Sequence, residues 1–235
     1  MEKIGFIGLG IMGKPMVENL LKADHQVNVY ARRQSSIDAI QTDQIKSFSS
    51  PQELAKHCTV VISCVSDTPD VEEVLIGESG VLNGIQSGSL VIDMSTISAT
   101  ATRTMADQFH AAGSSMIDAP VSGGEVGAIA GTLSIMVGGE EKDFNRAIPI
   151  LNCLGKNIVH VGKSGAGQVA KACNNLVAAQ TVVAVAEAFL LAKSLDVDPA
   201  KVREALLGGF AYSKVLELHG QKECLCYGNN SLSSN

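Results

Sequence analysis

The stretch Ile4-Gly-Phe-Ile-Gly-Leu-Gly-Ile-Met-Gly13 constrains the fold more than any other part of this 235-residue chain. Lys3 to Ile7 reads as a short buried strand, and Gly8-Leu9-Gly10-Ile11-Met12-Gly13 is a G-x-G-x-x-G loop. From Met12 the apolar spacing turns helical, through Met16 and Leu20 with Val17 and Leu21 beside them. Gly8 permits the tight turn, Gly10 lets the backbone approach a pyrophosphate, and Gly13 allows helix to pack closely on sheet. The free amides and positive dipole end of the helix then face the phosphates. Because this loop follows a strand and opens a helix, a dinucleotide site is expected at Gly8, Leu9, Gly10, Ile11, Met12 and Gly13.

Bulk properties narrow the class. A net charge of −6 argues against general nucleic-acid affinity, which needs a basic face. The hydrophobic share of 46% is ample for a core. No apolar run is expected to reach the length of a membrane span, and the start lacks the pattern of a signal peptide. The six cysteines (58, 64, 153, 173, 224 and 226) show no metal-ligand spacing. Cys64 in an apolar strand and Cys173 in a helix read as buried thiols. The expectation is a cytoplasmic, reduced protein that takes a small molecule and no metal, nucleic acid or membrane.

Gln26 to Tyr30 alternates as a second strand and runs into Ala31-Arg32-Arg33, with no carboxylate before Asp38. An acid near that strand end would hold the ribose 2′-hydroxyl of NAD. Arg32 and Arg33 instead suit a 2′-phosphate, so NADP(H) is favoured over NAD(H); a solvated basic loop is the alternative. Ser50-Pro51-Gln52-Glu53 has the form of a capping box. Thr59 to Val65 is continuously apolar, as a central parallel strand must be, and brings Val65 and Ser66 to the cofactor edge.

Leu90 to Met94 is the next strand, and the hydroxyls of Ser95-Thr96 past its end either meet a ligand or cap the following helix. That helix runs from about Ser98 to Ala112. Strand Met116 to Ala119 leads into Asp118-Ala-Pro-Val-Ser122-Gly123-Gly124, which is either an anion nest for a carboxylate or a plain glycine-rich connection. Thr132 to Val137, Glu140 to about Leu154 and Ile158 to Val161 add strand, helix and strand. Such alternation predicts an α/β fold, a Rossmann-type doubly wound sheet over residues 1–162.

Beyond the glycine-rich segment 162–167, Gln168 to Lys193 reads as one long apolar helix, spanning about 39 Å at ~1.5 Å per residue. Lys171, Asn174 and Asn175 interrupt it, and spacings of i+3 and i+4 put the asparagines beside the lysine on the helix surface. Asp198-Pro199 starts a shorter helix through Leu206, and Tyr212 to His219 begins another. Residues 163–222 are expected to form the start of an all-α second domain. Residues 223–235 read as an unstructured tail.

Taken together, GFIGLGIMGKPM at 5–16, IDMST at 92–96, DAPVSGGEVGA at 118–128, GTLSIMVGG at 131–139 and GAGQVAKACNN at 165–175 resemble the β-hydroxyacid dehydrogenase family. The resemblance implies hydride exchange between a nicotinamide cofactor and a small hydroxyacid or semialdehyde. It implies cofactor contacts at the glycine loop, Val65 and Ser66, and at Thr96, which lies between cofactor and substrate. It implies a substrate-carboxylate loop at Ser122, Gly123 and Gly124; Asn174, beside Lys171 by its helix spacing, is a further candidate for substrate binding. Lys171 matches the catalytic lysine and Asn175 the asparagine that hydrogen-bonds the reacting oxygen. An ammonium in reach of a developing alkoxide can stabilise it and deliver its proton.

Residues 125–139 and 208–220 look most like the branch that reduces tartronate semialdehyde to glycerate. Activity on 3-hydroxyisobutyrate, glyoxylate or succinic semialdehyde is the nearest alternative. Family members continue past His219 with helices that complete the second domain and form a homo-oligomer, whereas the tail after Lys222 reads as a truncated or out-of-frame ending. A cofactor-binding remnant without turnover is therefore the alternative of another class, with an exposed apolar helix face.

Overall fold

The computed structural model describes residues 2–221 apart from 41 and 43, so the reading of 223–235 as a tail lies outside the described residues. The chain divides into two compact units, one ending at Lys171 and the other starting at Ala172.

In the first unit the elements alternate: β1 (Ile4–Ile7), α1 (Gly13–Lys22), β2 (Val27–Tyr30), α2 (Gln34–Asp38), β3 (Ile45–Ser47), α3 (Pro51–Ala55), β4 (Val60–Ser63) and α4 (Thr68–Ile76). They continue with β5 (Leu90–Asp93), α5 (Ala99–Ala111), β6 (Ser115–Asp118), β7 (Val121–Ser122), α6 (Gly124–Ala130), β8 (Leu133–Gly138), α7 (Glu141–Leu151) and β9 (Gly155–Gly162). The sheet order is β3-β2-β1-β4-β5-β6-β8-β7, with β9 paired to β8. From β3 to β6 every pairing is parallel, and β8 reverses direction against β6 and β7. This is the expected doubly wound α/β fold. The chain leaves β1 toward β2 on one side and later returns to β4 on the other, opening a crevice at the carboxyl ends of β1 and β4.

The apolar runs owe their continuity to cover on both faces. Ile62, Ile92 and Ile117 join one buried core with Phe6, Met16 and Leu20. Val61, Val91 and Met116 join the other with Leu54, Leu75, Met105 and Phe109. Helix starts follow local chemistry. The hydroxyl of Ser50 accepts from Glu53 N at 3.1 Å, and the carboxylate of Asp67 accepts from Asp70 N at 3.2 Å, each beside a proline in the first turn. The capping box is one-sided, because the Glu53 carboxylate pairs with Lys56.

α2, β3 and α6 go beyond the sequence reading. α6 carries two glycines of its own, and its last turn is held from outside: the Asn19 side chain donates to Ala128 O at 2.7 Å. Gly131 ends it in the left-handed conformation, φ +63°.

α8 (Ala166–Ser194) begins in the first unit and continues into the second, which also holds α9 (Pro199–Leu207) and α10 (Lys214–Leu218). The second unit buries a small apolar cluster of Val185, Phe189 and Leu216. Two expectations need correction. An 18-residue stretch of α8 has mean hydropathy 1.7, so by length and composition this helix is apolar enough to cross a membrane. Cys173 is exposed, because it sits on a helix face with nothing packed over it among the described residues, where Cys58, Cys64, Cys153 and Cys173 are free thiols.

Candidate active site

The glycine loop leaves β1 at the crevice, and its three glycines are needed for different reasons. Gly8 has φ +99°, and a Cβ there would lie 2.2 Å from the carbonyl oxygen of Cys64, just past β4. At Gly13 a Cβ would meet the carbonyl oxygen of Gly8, so this glycine closes the loop on itself in addition to packing helix on sheet. Gly10 is the opposite case: nothing lies within 4 Å of where a Cβ would be. That open space belongs to a cavity of about 1100 Å³.

Every residue expected to hold the cofactor, Thr96 excepted, lines this cavity: Gly8, Leu9, Gly10, Ile11, Met12 and Gly13, Arg32 and Arg33, and Val65 and Ser66. A dinucleotide fits what is present, with free backbone at a helix start for a pyrophosphate and guanidiniums at the end of β2. The two arginines differ. Arg32 is paired with Asp70, Nη1 lying 2.9 Å from Oδ1, whereas Arg33 is exposed and has no ion pair among the described residues.

Thr96, Ser122, Gly123, Gly124, Lys171, Asn174 and Asn175 do not line the cavity. Thr96 is exposed just past β5. It does not cap α5, a role taken by Ser98, whose hydroxyl accepts from Ala101 N at 3.4 Å. Ser95 faces the other way: its hydroxyl oxygen accepts from Val65 N at 3.0 Å. Ser122 ends β7 opposite Ser134, followed by Gly123 and Gly124 at φ +134° and +60°. Asn174 donates to the side-chain oxygen of Asn175 at 3.2 Å. Lys171 is partly buried, and burial holds its ammonium below the ordinary lysine range. It makes no hydrogen bond or ion pair among the described residues.

Three buried polar residues at this edge of the sheet were not foreseen. Asp93 ends β5 fully buried; its Oδ1 accepts from Ser63 Oγ at 2.9 Å and Ser95 N at 3.2 Å, and its Oδ2 has no partner among the described residues. Burial pushes its carboxyl up to about 6, although hydrogen bonds from Ser95 and Ser63 pull the other way. Burial also lifts the Cys64 thiol to about 12, with the Asp93 charge adding to the effect. Asp118 ends β6 and receives Gly165 N at 2.7 Å and Gln168 N at 2.9 Å, capping α8. Burial raises its carboxyl and those amides oppose the rise. The Gln168 side chain accepts from Ile97 N at 3.0 Å and donates to Ser95 O at 2.9 Å. A carboxylate closing an otherwise apolar strand, as in Ile92-Asp93 and Ile117-Asp118, was the signal available for the first two.

Residues 3–162 match the model of the NAD binding domain of 6-phosphogluconate dehydrogenase, and 165–226 match that of the NAD-binding domain of NADP-dependent 3-hydroxyisobutyrate dehydrogenase. The 2-hydroxy-3-oxopropionate reductase of Escherichia coli is 44% identical over 220 residues, which cover 94% of this chain and 75% of that protein. The chain belongs to the β-hydroxyacid dehydrogenase family. It is an NAD(P)-dependent oxidoreductase.

Other β-hydroxyacid dehydrogenases agree. The 3-hydroxyisobutyrate dehydrogenase of Pseudomonas aeruginosa is 41% identical over 206 residues, 88% of this chain and 69% of that protein. The solved structure of the Mycobacterium tuberculosis 3-hydroxyisobutyrate dehydrogenase with L-serine superposes with a TM-score of 0.86 at 36% identity, covering 93% of this chain and 74% of that one. The second family model takes in α8, which accounts for this long apolar helix as part of an enzyme domain. Its match runs to residue 226, slightly past the point where the sequence resemblance was expected to end.

Proposed function

We propose that this β-hydroxyacid dehydrogenase reduces tartronate semialdehyde to glycerate, taking NADP(H) in preference to NAD(H). The observation that carries the chemistry is Lys171, an ammonium without a partner among the described residues, one turn into a helix capped from the end of β6. The bound nicotinamide supplies the hydride. Lys171 donates the proton to the carbonyl oxygen as negative charge develops there. Its depressed pKa eases that transfer, since burial already disfavours the charged amine. Asn175 and Asn174, on the same helix, hydrogen-bond the reacting oxygen and the substrate. Ser122 and the amides of Gly123 and Gly124 receive the substrate carboxylate, and Thr96 lies between substrate and cofactor.

Arg33 and Arg32 favour the 2′-phosphate of NADP(H), Arg33 most directly because Arg32 is shared with Asp70. The choice of substrate rests on the 44% identity to the Escherichia coli reductase and on segments 125–139 and 208–220. A panel of tartronate, methylmalonate and succinate semialdehydes and of glyoxylate, with NADPH and NADH, tests both choices. The highest kcat/KM with tartronate semialdehyde and NADPH is expected; a preference for NADH or another aldehyde overturns that half of the reading.

The second reading, a dinucleotide-binding protein without turnover, draws on the small buried cluster of the second unit. It predicts NADPH binding with no aldehyde reduced.

A further inference from the structure

We propose that Gln168 is a positioning residue, its side-chain amide holding the first turn of α8, and with it Lys171, in register with the loop 95–97. The proposal rests on the reading of Lys171 as the proton donor. Because no side chain among the described residues grips the Lys171 ammonium, the amine inherits its place from the α8 backbone. Asp118 and Gln168 both hold the start of that backbone, and they do different work. Asp118 receives the free amides of Gly165 and Gln168, which any helix start must satisfy. Gln168 ties the helix to one particular loop, accepting from Ile97 N and donating to Ser95 O on either side of Thr96.

The pair of bonds needs an acceptor and a donor on one planar group, which an amide provides; a carboxylate offers two acceptors and leucine offers neither. At 3% exposure, water has little access to replace either bond. The same loop is bonded onward to the cofactor side, since Ser95 Oγ accepts from Val65 N, and Val65 lines the cavity. A continuous set of hydrogen bonds thus runs from Val65 through Ser95 and Gln168 to the turn that carries Lys171. Small misplacement of a catalytic group lowers turnover more than binding.

Gln168→Leu and Gln168→Glu test this by two routes. In cofactor-free Gln168→Leu, hydrogen exchange at the Ile97 amide should speed up about tenfold or more, while the Ile62 amide in the core, a monitor of global unfolding, stays protected. Gln168→Glu keeps an acceptor for Ile97 N, loses only the donor to Ser95 O, and is read by its kinetics. With NADPH and semialdehyde, kcat should fall about tenfold or more while the KM for NADPH stays within about twofold. Slow Ile97 exchange in Gln168→Leu overturns the proposal, and so does an unchanged kcat alongside fast exchange. A loss of protection at Ile62 equal to that at Ile97 also overturns it, because the effect is then one of stability. If the parent protein reduces no semialdehyde, the functional reading fails separately, and the exchange measurement still decides whether Gln168 holds the helix.

Discussion

Lys171 and Asp93 are both shifted by burial, in opposite directions and with different consequences. Lys171→Ala should lower aldehyde reduction by about 10²- to 10⁴-fold while NADPH affinity, read by fluorescence titration, changes little. As the amine must be protonated to serve reduction, kcat should decline with rising pH at a value below the ordinary 10.5 of lysine. That alkaline limb should be missing from whatever activity Lys171→Ala retains. Asp93 binds its proton more tightly folded, near 6, than its ordinary 3.8, so between those values the native state carries more of the proton. Its contribution to stability therefore falls as pH rises from about 4 to about 6. Asp118 acts in the same direction, while Glu2, lowered chiefly by its Arg146 hydrogen bond, loses stability as pH falls. Urea denaturation of Asp93→Asn against the parent over that range isolates Asp93: the gap between the two curves should change with pH, and parallel curves would contradict the assignment. Lys171 and Ser122 stand out as candidates in the sequence because their segments read as motifs. Gln168 does not, because its meaning lies in contacts with Ser95 and Ile97, more than 70 residues away.

Among the elements, the central strands were legible because both faces are covered, which forces apolar runs such as those of Val60–Ser63 and Leu90–Asp93, polar only at their last residue. α6 was not, since its glycines and short length argue against a helix until the Asn19 side chain meets Ala128 O and Ile129 O. β3 was missed for a related reason: three residues at the sheet edge, only one of them apolar, make no pattern. The glycine loop supports a sharper test because its members fail in different ways. Gly10→Val should abolish NADPH binding with little change in melting temperature, its side chain projecting into open cavity. Gly8→Ala should lower the melting temperature by several degrees, as a positive φ and a blocked Cβ position both oppose it. Thermal melts paired with NADPH titrations check the contrast; equal melting temperatures for the two variants would sink it.

For the molecule as a whole, the two units differ in how much they bury. The first has two cores, one on each face of its sheet, and the second a cluster built on Val185, Phe189 and Leu216. Leu176, Val177, Leu190 and Leu191 on α8 remain exposed. Limited proteolysis should accordingly cut first within residues 172–221 and leave a fragment that still binds NADPH. First cleavage inside the sheet domain would contradict this. The opposite edge of that sheet has its own clasp: Arg146 Nε lies 2.8 Å from Glu2 Oε1, and Nη1 donates to Gly88 O at 2.6 Å. Glu2 thus sits where β1 begins, and the cavity opens where β1 ends. A surface tether placed beside the Glu2–Arg146 clasp stands on the far side of the sheet, so the protein can be immobilised there with its dinucleotide crevice still facing the solution.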